Sequence, residues 1–157
     1  MIQADIDRFL LSKQSAMLSE ATTDWYAVQL RMFDDWLDSD GHTTVTTETI
    51  ERYLVYLRKR KARYSDQPLS PSSVAGAHRA LKIFYKWCVD RGLVMVSPVA
   101  AVKMKKPARK APRRATRQEF DTLIRSIPVD DWIGLRDYLL IHTVFYCGLR
   151  IGRSEER

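Results

Sequence analysis

The sequence predicts an all-α protein in two parts, a four- to five-helix bundle and then a shorter helical fragment. Three observations carry this. Apolar residues recur at the i, i+3, i+4, i+7 spacing of amphipathic helices, and the two-residue alternation of strands is nearly absent. Hydrophobic residues make up 45% and aromatic residues 10% of 157, enough for a packed core. Between residues 103 and 117 the composition turns to Lys, Arg and Pro, which divides the chain into 1–102, a linker at 103–117, and 118–157.

Ile6, Phe9 and Leu10 mark a short first helix over about 4–11. Ser19 and Thr22 are candidate N-caps for a longer second one. There Trp25, Val28, Met32 and Trp36 form one apolar row and Tyr26, Leu30, Phe33 and Leu37 another. Ala27, Arg31, Asp34 and Asp38 are left as the polar arc. Gly41 ends it. Thr46 caps a third helix, with Glu48 and Glu51 where the helix dipole favours acids and Ile50, Tyr53, Leu54 and Leu57 on its apolar side. A basic cluster follows at Arg58, Lys59, Arg60, Lys61 and Arg63.

Ser70 caps the fourth helix, with Pro71 at the first position, where its missing N–H costs nothing. Val74, Ala77, Leu81, Phe84 and Cys88 should be buried, with Trp25, Trp36, Leu54 and Leu57 in the same core. At 100° per residue Ser72, Ala75, Arg79, Lys82 and Lys86 fall opposite. Gly92 and Pro98 close it. Beyond the linker, Thr116 caps a helix carrying Phe120, Leu123, Ile124 and Ile127. An apolar helix then runs from Trp132 to Cys147, ahead of Gly148-Leu149-Arg150.

The net charge is +7, and the linker alone holds eight cations (Lys103, Lys105, Lys106, Arg109, Lys110, Arg113, Arg114 and Arg117) with no acid. Everything else sums to −1, so the basicity is local. Such a stretch is either a solvated tether or a strap along a line of phosphates, whose displaced counterions supply affinity. The cations at 58–63 either complement a helix C-terminus or join the same surface. Small residues at Ser72, Ser73, Ala75 and Gly76 permit close approach to a groove, with Arg79, Lys82 and Lys86 as phosphate or base contacts. The alternative is an ordinary solvated face. His78, at the edge of the apolar face, is expected to be packed.

Signs of catalysis are sparse. His42, His78 and His142 are scattered without metal-ligand spacing, there is no Cys-x-x-Cys and no Gly-rich phosphate loop, so neither metal nor cofactor is expected. Asp130 and Asp131 are adjacent and precede a helix with no third ligand, so N-cap duty is their default reading. Cys88 and Cys147 read as buried reduced thiols of a cytoplasmic protein. The N-terminus is unlike a secretion signal, and no apolar run approaches the length that spans a bilayer.

The order of features is similar to a known family. Ser70-Pro71-Ser72-Ser73-Val74 leads into Leu81-Lys82-Ile83-Phe84-Tyr85-Lys86-Trp87-Cys88. Gly92, Ser97-Pro98 and the basic linker follow, then Leu135-Arg136-Asp137-Tyr138-Leu139-Leu140 and Tyr146-Cys147-Gly148-Leu149-Arg150-Ile151-Gly152. This resembles the tyrosine recombinase (phage integrase) family along essentially the whole chain. The resemblance implies that 1–102 is a SAM-like core-binding domain that grips one face of a DNA half-site, and that the catalytic domain starts near 116. It matches Arg150 to the first catalytic arginine, which holds the scissile phosphate.

The family's later lysine, its His-x-x-Arg segment and its nucleophilic C-terminal tyrosine have no counterpart, and residues 153–157 are polar where the family continues an apolar helix. The expectation is therefore a truncated or frame-shifted recombinase that binds double-stranded DNA without cleaving it. As alternatives, it regulates a full-length recombinase at its site or binds an acidic protein. Self-association through the last helix is expected as well.

Overall fold

The computed structural model describes residues 2–62, 66–105, 107–108 and 113–149. Among these described residues there are six helices, and the chain divides into two compact units, Met1–Ala108 and Arg109–Arg157. In the first unit are α1 (Gln3–Ser15), α2 (Glu20–Ser39), α3 (Thr47–Lys59) and α4 (Pro71–Asp90). In the second are α5 (Arg117–Arg125) and α6 (Trp132–Cys147). The one β-bridge among the described residues, Lys61 with Pro68, closes the α3–α4 connection.

The four-helix unit is built on aromatic rings at helical spacing. Phe9 of α1 meets Tyr26 of α2 and Phe84 of α4 edge-on, both at 5.5 Å between centroids. Phe33 of α2 meets Tyr53 of α3 at 4.8 Å. These edge-to-face pairs set the positive rim of one ring against the negative face of the next. Leu30, Leu37, Ile50, Leu54, Leu57, Val74, Leu81 and Cys88 fill the space between them, and the loop residue Val99 is buried with them. Burial pushes the Tyr53 and Tyr85 phenols well above their ordinary pKa.

Several local expectations shift. The first helix, Gln3–Ser15, is longer than 4–11, mostly at its C-terminal end, and its start is tied to α2 by Ile2 N–H donating to Asp34 Oδ1 at 2.9 Å. Asp34 is therefore buried, not part of a solvated arc, while Val28 is 60% exposed. Trp25 is only half-buried and packs on the edge of the core. Ser19 sits at the N-cap of α2, but its hydroxyl pairs with that of Thr22 and leaves the backbone N–H groups alone. Thr46 and Thr49 form a reciprocal capping box on α3.

In the second unit Thr116 and Glu119 form a capping box on α5. Hydrogen bonds from Thr116, its backbone N–H foremost, hold the Glu119 carboxyl below its ordinary pKa. Asp131 caps α6 by accepting from Gly134 N–H at 2.7 Å. A side chain at Gly134 is excluded, because its Cβ would stand 1.7 Å from the Pro128 carbonyl oxygen. Phe120 lies under Phe145, stacked at 3.7 Å. Along α6 itself only Gly134 is buried. Cys147, expected inside, is exposed, and Tyr146 is 56% exposed although Phe120 and Arg117 of α5 lie against its ring.

Candidate nucleic-acid interface

The site is built around α4. Ser70 Oγ accepts from Ser73 N–H at 3.1 Å, and Pro71 takes the first position without stranding a donor. Val74, Ala77, Leu81, Phe84 and Cys88 are buried against the core, which turns Ser72, Arg79, Lys82 and Lys86 outward. From Arg79 to Lys86 the cations span about 10 Å of helix axis at 1.5 Å per residue. None of the three has an ion-pair partner among the described residues, whereas Arg8, Arg52, Arg117 and Arg136 each pair with an acid within four positions.

One of the small residues serves the fold. The Ser73 hydroxyl lies 2.9 Å from that of Ser70, inside the cap. A Cβ on Gly76 would stand 3.6 Å from Trp25 Cζ2, ordinary van der Waals contact, so the packing of α4 on Trp25 does not demand a glycine. Ser72 remains exposed in the first turn, with Ala75 half-buried behind it.

A second element of the surface was not legible as one in the sequence. A groove of about 540 Å³ runs between α3 and the start of α4. Leu54, Val55, Leu69, Val74, Val102 and Met104 line it, with Arg58, Lys103 and Lys105 and one acid, Glu51. Three cations read separately, one from the cluster after α3 and two from the linker, thus share one cleft. Of the rest of that cluster, Lys59 and Arg60 are exposed and Lys61 pairs with Asp66 at 2.9 Å. In the second unit Arg113 pairs with Glu119, and Arg114 is exposed. Lys106, Arg109, Lys110, Arg63 and Arg150 lie outside the described residues.

His78 stands half-buried one residue before Arg79. Burial pushes its pKa below the ordinary value, with Lys82 adding to the effect and the Val102 carbonyl opposing it. Its neutral form sits at the edge of the cationic face. Burial also pushes the Cys88 thiol up to about 12. Among the described residues no group of three or more His, Cys, Asp or Glu side chains could hold a metal ion, and no helix is long and apolar enough to cross a membrane.

Three comparisons with known proteins bear on this surface. Residues 6–94 match the family described as "Phage integrase, N-terminal SAM-like domain". The chain is 29% identical over 150 residues to tyrosine recombinase XerD of Pseudomonas aeruginosa, an alignment that covers 93% of this chain and 48% of that protein. It is 30% identical over 155 residues to tyrosine recombinase XerC of Xanthomonas axonopodis pv. citri, covering 94% of this chain and 50% of that one. The chain therefore spans about half the length of the curated relatives it matches. No solved structure matches it.

Proposed function

We propose that this chain, which belongs to the phage integrase family of tyrosine recombinases, binds duplex DNA with its first unit, as the DNA-gripping part of a site-specific recombinase. The observation that carries the reading is the set of cations without acid partners among the described residues. Arg79, Lys82 and Lys86 stand on α4, and Arg58, Lys103 and Lys105 in the neighbouring cleft. Unpaired cations on a rigid scaffold keep their charge for a ligand and give up little freedom on binding it. The names of the relatives supply the process, DNA recombination.

A polypeptide of these 157 residues binds without cutting in this reading, because the strand-cleaving tyrosine that the family resemblance calls for has no counterpart within them. The exposed apolar side of α6 then suits a further protein surface, from a full-length recombinase or a second copy.

The test is the salt dependence of binding. On duplex DNA the slope of log affinity against log salt is about −0.9 for each neutralised phosphate. With about half of the eight linker cations in contact, replacing all eight by Gln should flatten the slope by roughly 3–4 units. A nicked suicide duplex incubated with the parent chain should carry no covalent adduct. An unchanged slope would remove the linker from the interface. Absence of binding at low salt, with binding to an acidic protein retained, would replace DNA as the partner.

A further inference from the structure

Residues 102–105 read Val-Lys-Met-Lys, and the structure alternates them. Val102 and Met104 are half-buried and packed against the core of the first unit, whereas Lys103 and Lys105 are exposed. Inward–outward alternation at a period of two is the pattern of extended chain lying on a surface. A solvated tether has no use for it. Val102 N–H is bonded to Val99 O at 3.1 Å, so the segment leaves a loop whose own anchor, Val99, is buried. In extended chain two residues advance about 6.6 Å, so Lys103 and Lys105 stand on one side at a spacing of the order of that between successive phosphates on one strand. Arg58, from the last turn of α3, lines the same groove. The floor is apolar, and three cations outnumber the single acid Glu51 among the lining residues, which complements a deoxyribose–phosphate strand, apolar at the sugars and anionic at the phosphates.

We infer that Val102 and Met104 are positioning residues, which hold Lys103 and Lys105 beside Arg58 so that the three cations form a preset clamp for the backbone of one DNA strand. The inference rests on the DNA-binding reading above and makes it more specific. The first three linker residues act as part of the folded unit, and only the residues after them can act as a strap.

The clamp has a test in which no charge changes. The double variant Val102→Ser, Met104→Ser keeps every cation and removes only the anchors, and Met104→Leu restores an anchor of similar volume. If the lysines are held in place, unfixing two long side chains should weaken duplex binding by roughly five- to thirtyfold, and Met104→Leu alone should bind like the parent. A tether acting through charge alone predicts equal binding by all three. Equal binding with the parent bound overturns the clamp and leaves DNA binding standing, whereas no binding by the parent ends both. A second measurement needs no DNA. Trypsin should cut the parent after Lys103 and Lys105 much more slowly than it cuts a free peptide of residues 98–110. It should cut the double variant at a rate near that of the peptide, with the helical circular dichroism of both proteins unchanged. Cleavage of the parent at the peptide's rate overturns the anchoring itself.

Discussion

The two units spend similar residues to different ends. In the first, four helices turn Phe9, Phe33, Tyr53 and Phe84 onto one another, and apart from the buried Asp34 none of their charged residues is buried. In the second, α6 is the most apolar helix of the chain. Yet Trp132 is 73% and Leu139 55% exposed, and Phe120 is the one buried large side chain among the described residues. The difference lies in the number of helices each face can reach. An apolar stripe about 100° wide is satisfied by a few neighbours, whereas a helix apolar on most sides needs them all round, and α5 covers one side only. Hydrophobicity thus reports how much partner surface a segment requires, and the partner has to be found separately.

The largest expected effect follows from that contrast. Phe84→Ala removes a ring packed against Phe9, Tyr85 and Trp87 and should destabilise the first unit by roughly 3–5 kcal/mol. Phe145→Ala removes a half-exposed ring stacked on Phe120 and should leave that unit's stability unchanged within about 0.5 kcal/mol. Denaturant titration followed by tryptophan fluorescence in a Trp132→Phe background reports on Trp25, Trp36 and Trp87 alone, all in the first unit. Equal losses for the two variants would dissolve the distinction between the units.

The cysteines sharpen the comparison at a smaller scale. With its pKa pushed up to about 12, the buried Cys88 has a thiolate fraction of roughly one in 10,000 at pH 8. Cys147 is exposed on α6. A thiol-specific reagent should therefore label one cysteine per native chain quickly, and Cys88 at least about a hundredfold more slowly. Mass spectrometry of the labelled peptides identifies which. Fast labelling of both would mean that α4 opens readily from the core.

Much of this was legible in the sequence because helix periodicity and caps are local signals. Ser70, Thr46 and Thr116 stand at the N-caps expected of them, Asp131 takes the cap expected of the Asp130–Asp131 pair, and α6 has the bounds read from its apolar run. What local reasoning missed depends on partners far along the chain. Asp34 looked solvated by its helical angle and is buried because the start of α1 arrives there, 32 residues away in sequence. Cys147 looked buried because its neighbours are apolar, although it is itself exposed beside Phe145 and Tyr146, which meet Phe120. In the candidate interface, the outward set on α4 followed from 3.6-residue geometry. The cleft did not, because Arg58 and Lys103 lie far apart in sequence and the Val-Lys-Met-Lys alternation was hidden within a stretch read for its charge.

The smallest predicted effect concerns His78, where the packed unit meets the cationic face. Burial is the main cause of its lowered pKa, so the folded protein disfavours the imidazolium that an unfolded chain accepts near pH 6.5. The sign follows from proton counting. Well above pH 6.5 both states carry a neutral ring and His78 has no effect. As pH falls through 6.5, the unfolded chain takes up a proton that the folded chain refuses, and the first unit loses stability until the pH passes below the folded pKa. The loss should therefore grow between about pH 7 and pH 5, a window above the ordinary carboxylate range. Denaturant midpoints of the parent should fall across it, and those of His78→Gln should fall less, since an amide of similar polarity does not titrate. The fall should persist at high salt, because desolvation outweighs the repulsion from Lys82 and salt does not screen desolvation. A midpoint that falls equally in the parent and in His78→Gln would assign the pH dependence elsewhere and leave His78 as packing alone.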